Sequence, residues 1–583
     1  MKRLIMASVI GALSGNVLAD EPLEDWRELD AQLPQTAAKS APLQAAAAAP
    51  AASTTAGGNQ KVQLNEVRLT GATVLDSGDV SRLIEQYEGR PVALYEIQEL
   101  RFKLSEMYAN AGYLSSGVRI PDQVVDNGVL ELEAVEASLG AIELLPGSRM
   151  PDRLIEPRIR REIAGPLNTD QVQTALQRLL RNDHVSSIDA RLRPGDQPGE
   201  SILLVQVEDA PRFDVTLGFD NYRTSSVGGE SPWAGVTARN LTGFGETMNL
   251  RVAASEGATV GSFSVSVPLN ARDTTVSAYY SRSDTQIVED AFDELDIESL
   301  TDTWGVAVSH PLIDTLNNTL TATLGFESKS SETELLGQKF SFSPGAQDGE
   351  SDSRAAYASI DWLQQTDSHV LAIRGTYRRG LDVLDATEDD GDRRFNPTGA
   401  DSDFDLYLIQ QLFRYRLSSR WPNLNDRAQL VARSTVQFTW DGLMSVDKIA
   451  VGGRSSARGY PENLLVRDNG AYASVEVQLP FFGYQDGPNV RNLVVAPFID
   501  YARSWDDIDT DAVSLTRNTD ETRYLLSAGV GLLWQPLPGL NASVYWGHDF
   551  KDNFDRGEDP RANSDGDLQK DGLHFSITYS LSF

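Results

Sequence analysis

The sequence LHFSITYSLSF occupies residues 573–583 and ends the chain. Its apolar residues alternate with polar ones throughout, at Leu573, Phe575, Ile577, Tyr579, Leu581 and Phe583. Successive side chains of a β-strand point to opposite faces of the sheet, so this pattern predicts a strand with one apolar and one polar face. We expect this last strand to pair with the first strand of its sheet, because a sheet that closes on itself leaves no unpaired edge.

The same alternation recurs after residue 210, where helical periodicity disappears. Clear examples lie at 213–219, 473–479, 493–501 and 540–546. A soluble β-sandwich or propeller would alternate in this way, and so would a membrane barrel with lipid on one side and a wet lumen on the other. The 373 residues of this region (583 − 210) contain no predicted helix to cover a sheet, and aromatic residues lie near the strand ends. These features favour a transmembrane antiparallel β-barrel over residues 211–583.

The N-terminus and the composition indicate an exported protein. Lys2 and Arg3 precede a mostly apolar run, and Val17-Leu18-Ala19 offers small residues for cleavage, which predicts a signal peptide over residues 1–19. No later apolar run reaches the roughly 18 residues that a membrane-spanning helix needs. The chain has no cysteine, which excludes a disulfide framework and a cysteine nucleophile. Its net charge of −33 argues against binding to nucleic acid.

Two short segments precede the first folded unit. Leu23, Trp26, Leu29 and Leu33 are spaced by three and four residues, which predicts a short amphipathic helix over residues 20–33. Residues 34–60 consist mainly of Ala, Pro, Ser, Thr and Gly, so they cannot bury enough apolar surface to fold. We interpret this second segment as a linker.

Residues 61–210 mix strands and helices in an order that repeats. The first unit, over 61–136, begins with a predicted strand, VQLNEVRLTG, and contains the helical pattern ALYEIQELRFKLSEMYANAGY, which further strands follow. The second, over 137–210, contains a strand, two helices and two strands, with the second helix at TDQVQTALQRLL and the last strand at ESILLVQVED. The sequence therefore predicts two successive β-α-α-β-β units of roughly 75 residues each.

Four stretches resemble one known family. The stretch YANAGYLSSGVRIPDQVVDNGVLELEAVEA (108–137) resembles the first periplasmic POTRA domain of two-partner secretion outer-membrane transporters, which export haemolysins and filamentous adhesins. NLTGFGETMNL (240–250) resembles an early barrel hairpin of that family. Arg458, Gly459 and Tyr460, within VGGRSSARGYPENLLVRDNG (451–470), resemble the motif of the sixth extracellular loop. Phe498 and Asp500 resemble the partner motif on the barrel wall, although Ala457 and Ala502 stand where Val and Gly are usual.

The resemblance implies a fold and a function. The fold would be a barrel of sixteen strands in the bacterial outer membrane, preceded by two POTRA domains in the periplasm, POTRA 1 (61–136) and POTRA 2 (137–210). Residues 20–33 would form a helix that plugs the pore; the alternative is an amphipathic helix that stays in solution. Phe583 would be the signal that barrel-assembly machinery recognises. The partner would be one large secreted protein, such as an adhesin, a haemolysin or a contact-dependent toxin, translocated unfolded.

The residues themselves suggest one interaction in the site. Ile499 and Tyr501 belong to the apolar set of their strand, so Asp500 between them points into the lumen. A carboxylate inside a barrel is best paired with the planar guanidinium of an arginine. We therefore expect the sixth loop to fold into the lumen, where Arg458 would bind Asp500. The alternative is that Asp500 faces lumen water and Arg458 lies on a mobile external loop.

Other classes of function are less well supported by the sequence. An assembly factor that inserts barrel proteins shares the POTRA units and the Arg-Gly loop motif, but usually has more POTRA units and lacks the helix and linker. None of the five histidines lies in a GxSxG or HExxH setting, so we predict no catalytic residue. The acidic run at 564–567 does not fit the EF-hand pattern, and we predict neither a metal nor another cofactor.

Overall fold

The computed structural model describes residues 43–45, 61–125, 127–289, 292–389, 391, 396, 399–486, 489–506, 523–552 and 568–583. The predicted signal peptide, the predicted helix with Leu23, Trp26, Leu29 and Leu33, and the acidic run at 564–567 lie outside these residues. The chain divides near residue 211 into two compact units.

The N-terminal unit contains nine described strands and four α-helices. The strands are β1 (Leu43–Ala45), β2 (Lys61–Leu64), β3 (Glu66–Thr70), β4 (Arg90–Ala93), β5 (Gly117–Arg119), β6 (Val129–Val135), β7 (Ser138–Leu144), β8 (Val185–Pro194) and β9 (Glu200–Asp209). The helices are α1 (Ser77–Ile84), α2 (Leu94–Asn110), α3 (Asp152–Glu162) and α4 (Thr169–Leu180). Asp76 caps α1 and Asn168 caps α4, each with a side-chain oxygen that accepts from backbone N–H groups of the first turn.

The predicted repeat appears as one sheet topology used twice. In the first copy β3 is parallel to β6, and β5 is antiparallel to β6. In the second copy β7 is parallel to β9, and β8 is antiparallel to β9. In each copy the two helices lie in the chain between the first and second of these strands, and each copy has its own apolar core.

The linker differs from the expectation at one place. Residues 34–60 were expected to carry no regular structure, yet Leu43–Ala45 pairs in parallel with β8, with Leu43 opposite Ala190 and Ala45 opposite Leu192. The apolar content of a segment does not govern this contact, because backbone hydrogen bonds can add a short strand of any composition to an open sheet edge.

The C-terminal unit consists of strands joined by turns and loops. In order they are β10 (Phe213–Asp220), β11 (Ser231–Arg239), β12 (Thr247–Ala254), β13 (Ala258–Pro268), β14 (Thr275–Gln286), β15 (Ile297–Asp314), β16 (Asn318–Leu335), β17 (Gln338–Lys339), β18 (Glu350–Gln365), β19 (His369–Gly380), β20 (Asp405–Arg416), β21 (Gln429–Thr439), β22 (Ile449–Val451), β23 (Leu465–Arg467), β24 (Asn469–Asp486), β25 (Asn489–Trp505), β26 (Arg523–Leu537), β27 (Leu540–Asp552) and β28 (Leu573–Ser582). The two-residue β17 extends the hairpin of β16, and β22 pairs with β23 in a separate ribbon. The other sixteen described strands form a closed antiparallel barrel.

Closure occurs between β10 and β28, as the terminal alternation predicted. Asp214 lies opposite Ser582 and Asp220 opposite Ser576. At the end of this seam Phe213 and Phe583 exchange two backbone hydrogen bonds of 2.9 Å each. The barrel therefore has no unpaired edge at this position, which is what a sheet in lipid requires.

The alternation separates an outer apolar face from an inner polar one. Ile577, Leu581 and Phe583 of the last segment are 47%, 46% and 65% exposed, whereas His574 is fully buried. The same holds for β25, where Ile499 and Tyr501 are exposed and Asp500 is buried. No helix among the described residues is long and apolar enough to span a membrane.

Candidate functional site

Loop 6, residues 440–468, connects β21 to β24 and folds against the inner wall of the barrel. It contains the ribbon of β22 and β23 and the tight turn that follows β22. Gly452 and Gly453 have φ values of 118° and 89°, in the region that glycine tolerates best. The Ser456 hydroxyl donates to the carbonyl of Gly452 at 3.0 Å and accepts from its N–H group at 2.8 Å. This turn directs the following residues, from Ala457 to Glu462, toward β24–β28.

Arg458 is the centre of the site and is 1% exposed. Its Nε and Nη2 atoms donate to the two carboxylate oxygens of Asp500, each at 2.8 Å, and its backbone N–H group donates to the same carboxylate at 3.0 Å. Nη2 also donates to the Ser474 hydroxyl at 2.8 Å, and Nη1 donates to Glu476. The guanidinium thus makes the two-pronged contact that arginine makes best with a carboxylate.

Aromatic rings enclose the same guanidinium. Its central carbon lies 3.6 Å from the ring centroid of Phe498 and 4.9 Å from that of Tyr545. A desolvated cation above an aromatic face gains roughly 2 kcal/mol from the ring quadrupole. The aromatic rings and the hydrogen bonds together compensate for removing this charge from water, a cost that a buried ion pair must recover through good geometry.

The residues after Arg458 lie directly on the barrel wall. Gly459 has a φ of 94°, and a Cβ added there would lie 2.9 Å from the backbone carbon of Gly547 in β27. Tyr460 is fully buried, and its hydroxyl donates to the carbonyl of Leu526 in β26 at 3.1 Å. The close approach of Gly459 to Gly547 requires glycine at both positions, because a Cβ on Gly547 would lie 2.7 Å from the Gly459 nitrogen.

A second ionic contact holds the other end of loop 6. The Asp447 side chain is fully buried, and its Oδ1 accepts from Lys329 Nζ at 3.1 Å and from Arg378 Nη2 at 3.2 Å. Lys329 also donates to the carbonyl of Val446 at 3.0 Å. Glu327 accepts from Arg378 and lies 3.5 Å from Lys329, so two cations and two carboxylates form one cluster. Lys329 and Glu327 lie on β16, and Arg378 lies on β19.

Loop 6 is therefore bound at two separate parts of the wall. Counted around the barrel, β16 and β19 are the seventh and ninth of the sixteen strands, whereas β24 and β25, which hold Arg458, are the twelfth and thirteenth. Between the two contacts, apolar residues of the loop pack against the wall in one cluster: Ile449, Val451, Ala457, Tyr460 and Leu465 on the loop, with Tyr472, Ala502 and Leu525 on the strands. Loop 6 thus crosses part of the lumen.

A third contact joins the two ends of loop 6 at its base. Lys448 Nζ lies 2.7 Å from Asp468 Oδ1 and 3.8 Å from Asp506 Oδ1. Burial disfavours the charged form of Asp468, and the neighbouring Asp506 carboxylate adds to this effect, so the pKa of Asp468 is raised to about 6 despite the contact with Lys448. Burial acts to raise the pKa of the Asp506 carboxyl, but Lys448 and Arg467, which pairs with it, lower that pKa below its usual value.

The structure brings some of the predicted residues together and leaves others apart. Arg458, Phe498 and Asp500 meet, and Gly459 and Tyr460 lie beside them. Phe583 lies at the seam, away from this cluster. The predicted residues of the N-terminal helix lie outside the described part of the chain. In the described segments no group of three or more histidine, aspartate or glutamate side chains is arranged to hold a metal ion.

Sequence reasoning missed several residues of the site. The alternation in β24 did place Ser474 and Glu476 on the polar face, but gave no indication that they contact Arg458. Lys329, Arg378 and Asp447 are separated by 49 and 69 residues along the chain, and no motif connects them. Only the curvature of the barrel brings their strands to one loop.

Comparison with known proteins identifies the family. Residues 199–532 match the family model described as haemolysin secretion/activation protein ShlB/FhaC/HecB. The chain belongs to this family. Residues 62–137 also match the ShlB-type POTRA domain, which agrees with the first copy of the repeat. The barrel accordingly lies in the outer membrane, and the POTRA domains lie in the periplasm.

Individual relatives are distant. The outer membrane transporter CdiB of Escherichia coli O6:K15:H31 is 22% identical over 508 residues, which cover 83% of this chain and 81% of CdiB. The heme/hemopexin transporter protein HuxB of Haemophilus influenzae is 26% identical over 202 residues, and the match spans only 35% of the HuxB length. Among solved structures, CdiB from Escherichia coli is similar with a TM-score of 0.63 at 18% identity, covering 99% of this chain and 98% of the other.

Proposed function

We propose that this chain is an outer-membrane pore that exports one large secreted protein, unfolded, from the periplasm to the cell surface. Loop 6 supports this role, because it enters the lumen and is bound there through Arg458 and Asp447. A loop with buried charges inside a barrel makes a gated passage, because its removal would widen the lumen without breaking the wall. Names of relatives, a hemolysin transporter protein and an outer membrane transporter CdiB, support a secreted protein as the cargo class.

The POTRA domains would recognise the cargo in the periplasm. An extended peptide can add to an open sheet edge, where main-chain hydrogen bonds provide affinity and side-chain pockets provide selectivity. The chain contains no phosphate-binding GxxxxGK[ST] motif, and folding of the cargo outside the cell would drive transport. The role involves no catalysis and no cofactor. The cargo would be an adhesin, a haemolysin or a contact-dependent toxin.

A deletion strain tests this role directly. When the protein is removed, one large polypeptide should disappear from the culture medium or the cell surface. Expression of the wild-type protein should restore that polypeptide. The double variant Arg458→Ala/Asp500→Ala separates export from barrel assembly, because its barrel should assemble while export falls. An unchanged set of secreted and surface proteins in the deletion strain would contradict the proposal.

The predicted helix at residues 20–33 would plug the pore. Its linker of 27 residues could extend to roughly 90 Å, about twice the thickness of a bilayer. The helix could therefore occupy the lumen while the linker reaches the periplasm, and it could leave without unfolding another part. Deletion of residues 21–33 should raise the ion conductance of the purified protein in planar bilayers, whereas replacement of residues 46–58 by a Gly/Ser linker of equal length should not. Unchanged conductance after the deletion would contradict plugging.

A second candidate function is that of an assembly factor that inserts other barrel proteins into the outer membrane. Such a factor would itself be inserted by the barrel-assembly machinery. Its support is the similarity to BamA from Haemophilus ducreyi, with a TM-score of 0.53 at 15% identity, which shows the fold alone. The two functions predict different protein losses in a strain that lacks this chain. Loss of an assembly factor would deplete many outer-membrane barrels, whereas loss of the proposed exporter would remove one secreted protein.

A further inference from the structure

Gln569 occupies a position that links loop 6 to the seam of the barrel. It lies in the turn before β28 and is fully buried. Its Oε1 accepts from the backbone N–H group of Glu462 in loop 6 at 3.0 Å. Its Nε2 donates to the carbonyls of Asn221 and Arg223, each at 2.6 Å. Asn221 follows β10 directly. The side-chain amide of Gln569 therefore contacts loop 6 through its oxygen and the segment after β10 through its nitrogen.

Asn221 itself closes the end of the β10–β28 seam that lies farthest from Phe213 and Phe583, which we call the outer end. Its Nδ2 donates to the carbonyl of Leu573 at 2.9 Å, and its Oδ1 accepts from the N–H group of Phe575 at 2.7 Å. Its backbone N–H group also donates to the carbonyl of Phe575 at 3.3 Å. The regular pairing of β10 with β28 ends at Asp220 and Ser576, so these bonds extend the seam beyond its last regular pair. Gln569 holds the Asn221 backbone in place for them.

Loop 6 covers this arrangement from inside. The backbone N–H group of Gly459 lies 3.4 Å from His574 Nε2 on β28, and His574 is fully buried. A Cβ added to Gly572 would lie 2.1 Å from the Gly547 carbonyl oxygen and 3.4 Å from the Gly459 Cα atom. The turn before β28 and loop 6 are therefore packed backbone against backbone, and departure of the loop would expose the Gln569 side chain to water.

The far end of loop 6 is bound to the opposite wall. Asp447 is held by the seventh and ninth strands, and the seam lies between the sixteenth and the first, which is half a turn around the barrel. A loop fixed at both positions spans the lumen. The position of the loop and the closure of the seam are therefore thermodynamically coupled. Each provides hydrogen-bond partners that the other needs, so a change in one changes the free energy of the other.

We propose that Gln569 is a positioning residue that couples the placement of loop 6 in the lumen to closure of the outer end of the β10–β28 seam. The inference deepens the proposed function, since it identifies what changes in the wall when loop 6 moves. When Arg458 leaves Asp500, the Glu462 N–H group withdraws from Gln569, and the seam loosens next to Asn221. The inner end of the seam, at Phe213 and Phe583, stays paired.

Hydrogen exchange of the purified full-length protein in detergent micelles tests the coupling. Arg458→Ala should speed exchange in seam peptides 213–223 and 573–580 by about tenfold, as expected for loss of roughly one or two hydrogen bonds. Gln569→Met, which keeps volume but removes the amide, should speed the same peptides and also loop residues 452–462. Because both changes break one linkage, the double variant should exchange no faster at the seam than the faster single variant.

Two controls separate coupling from general damage. Peptides from the β13–β14 hairpin, residues 258–286, should keep wild-type exchange in every variant. Gln569→Glu keeps the acceptor for Glu462 but loses both donors, so it should loosen the seam while loop residues 452–462 change less than in Gln569→Met. The proposal is overturned if Arg458→Ala accelerates exchange in loop 6 alone, or if the effects of the two single variants add. The experiment uses no cargo, so its outcome is independent of whether the protein exports one.

Discussion

At the residue scale, the site depends on a guanidinium that cannot be replaced by another cation. Arg458 uses three of its side-chain nitrogens on three different partners, Asp500, Glu476 and Ser474. A lysine has a single charged nitrogen and cannot grip both oxygens of one carboxylate while contacting a second. A neutral substitution here removes the cation that pairs with two buried carboxylates, and breaking a buried pair costs about 3–5 kcal/mol.

We therefore predict that Arg458→Lys lowers cargo secretion nearly as much as Arg458→Ala, by roughly tenfold or more, since either change weakens the loop contact by more than the ~1.4 kcal/mol that corresponds to a factor of ten. Secretion into the medium is measured by immunoblot against equal amounts of barrel. Arg282→Lys is the matched control, because Arg282 is largely exposed and pairs with Asp302 at 3.4 Å. Wild-type secretion from Arg458→Lys would contradict the prediction, because it would show that a positive charge at this position is sufficient to hold loop 6.

The Asp447 cluster leads to a second prediction at this scale. Asp447→Asn removes the charge that Lys329 and Arg378 share, so residues 440–451 should detach from β16 and β19. We expect faster protease cleavage within 440–451 by added protease, with protection of residues 456–462 retained because the Arg458 contact is intact. Asp302→Asn, on an exposed pair, should leave cleavage unchanged. Equal protection of both segments in Asp447→Asn would contradict a separate anchor.

The sequence predicted one side of this chemistry and not the other. Alternation in β25 placed Asp500 on the inner face, and the chemistry of carboxylates then favoured Arg458 as its partner. Nothing comparable was available for Asp447, which lies in an irregular segment without periodicity. Its partners come from strands more than 60 residues earlier, so only tertiary structure identifies them.

At the element scale, period-two and helical patterns located strands and helices well. The strand predicted at ESILLVQVED is β9, and the helix predicted at TDQVQTALQRLL is α4. One predicted strand, VQLNEVRLTG, is divided into β2 and β3, which belong to different sheets. A periodicity cannot reveal this division, since the partner strands β4 and β6 decide to which sheet each half belongs.

Glu136 holds the elements of POTRA 1 together. Its carboxylate accepts from Thr73 N at 2.5 Å, Val74 N at 3.0 Å and the Tyr108 hydroxyl at 2.9 Å, which connects the segment before α1 with α2 and the end of β6. Burial opposes the charge, but the hydrogen bonds from Thr73, Val74 and Tyr108 outweigh it and lower the pKa of Glu136 from its ordinary 4.5.

We predict that Glu136→Gln lowers the free energy of unfolding of POTRA 1 by about 1–3 kcal/mol at pH 7. A neutral amide oxygen accepts the three bonds more weakly than a carboxylate, and the amide nitrogen cannot accept from the Thr73 hydroxyl, which donates to the second carboxylate oxygen. The lowered pKa means that the wild-type carboxylate contributes stability above pH 4.5, and that this contribution disappears as pH falls through the folded-state pKa. The difference between variant and wild type should therefore shrink at low pH. Urea unfolding of residues 61–136 at pH 7 and pH 3 measures it.

The control for this prediction is Glu133→Gln, since Glu133 lies three residues earlier and pairs with Arg119 on the exposed surface. Exposed ion pairs contribute little, so its unfolding free energy should change by less than about 1 kcal/mol. A loss for Glu136→Gln no larger than that for Glu133→Gln would contradict the role of Glu136.

At the scale of the whole molecule, the barrel wall could be predicted from the sequence, whereas the path of loop 6 could not. The closed wall could be predicted because several strands carry the same alternation and no helical periodicity occurs after residue 210. The path of loop 6 through the lumen could not, because it depends on the backbone contact of Gly459 with Gly547 and on charges distributed over four strands. Both are consequences of closure rather than of any local pattern.

On the proposed function, export requires loop 6 to be held in the lumen by Arg458 and Asp500. The most direct measurement compares cargo secretion in Arg458→Ala, Asp500→Ala and the double variant, with heat-modifiable electrophoretic migration as the check on an intact barrel. We predict that each single variant lowers secretion by roughly tenfold or more while the barrel stays folded, and that the double variant secretes no less than the weaker single variant, since both remove one interaction. Full secretion from both single variants would show that export does not depend on the contact between Arg458 and Asp500.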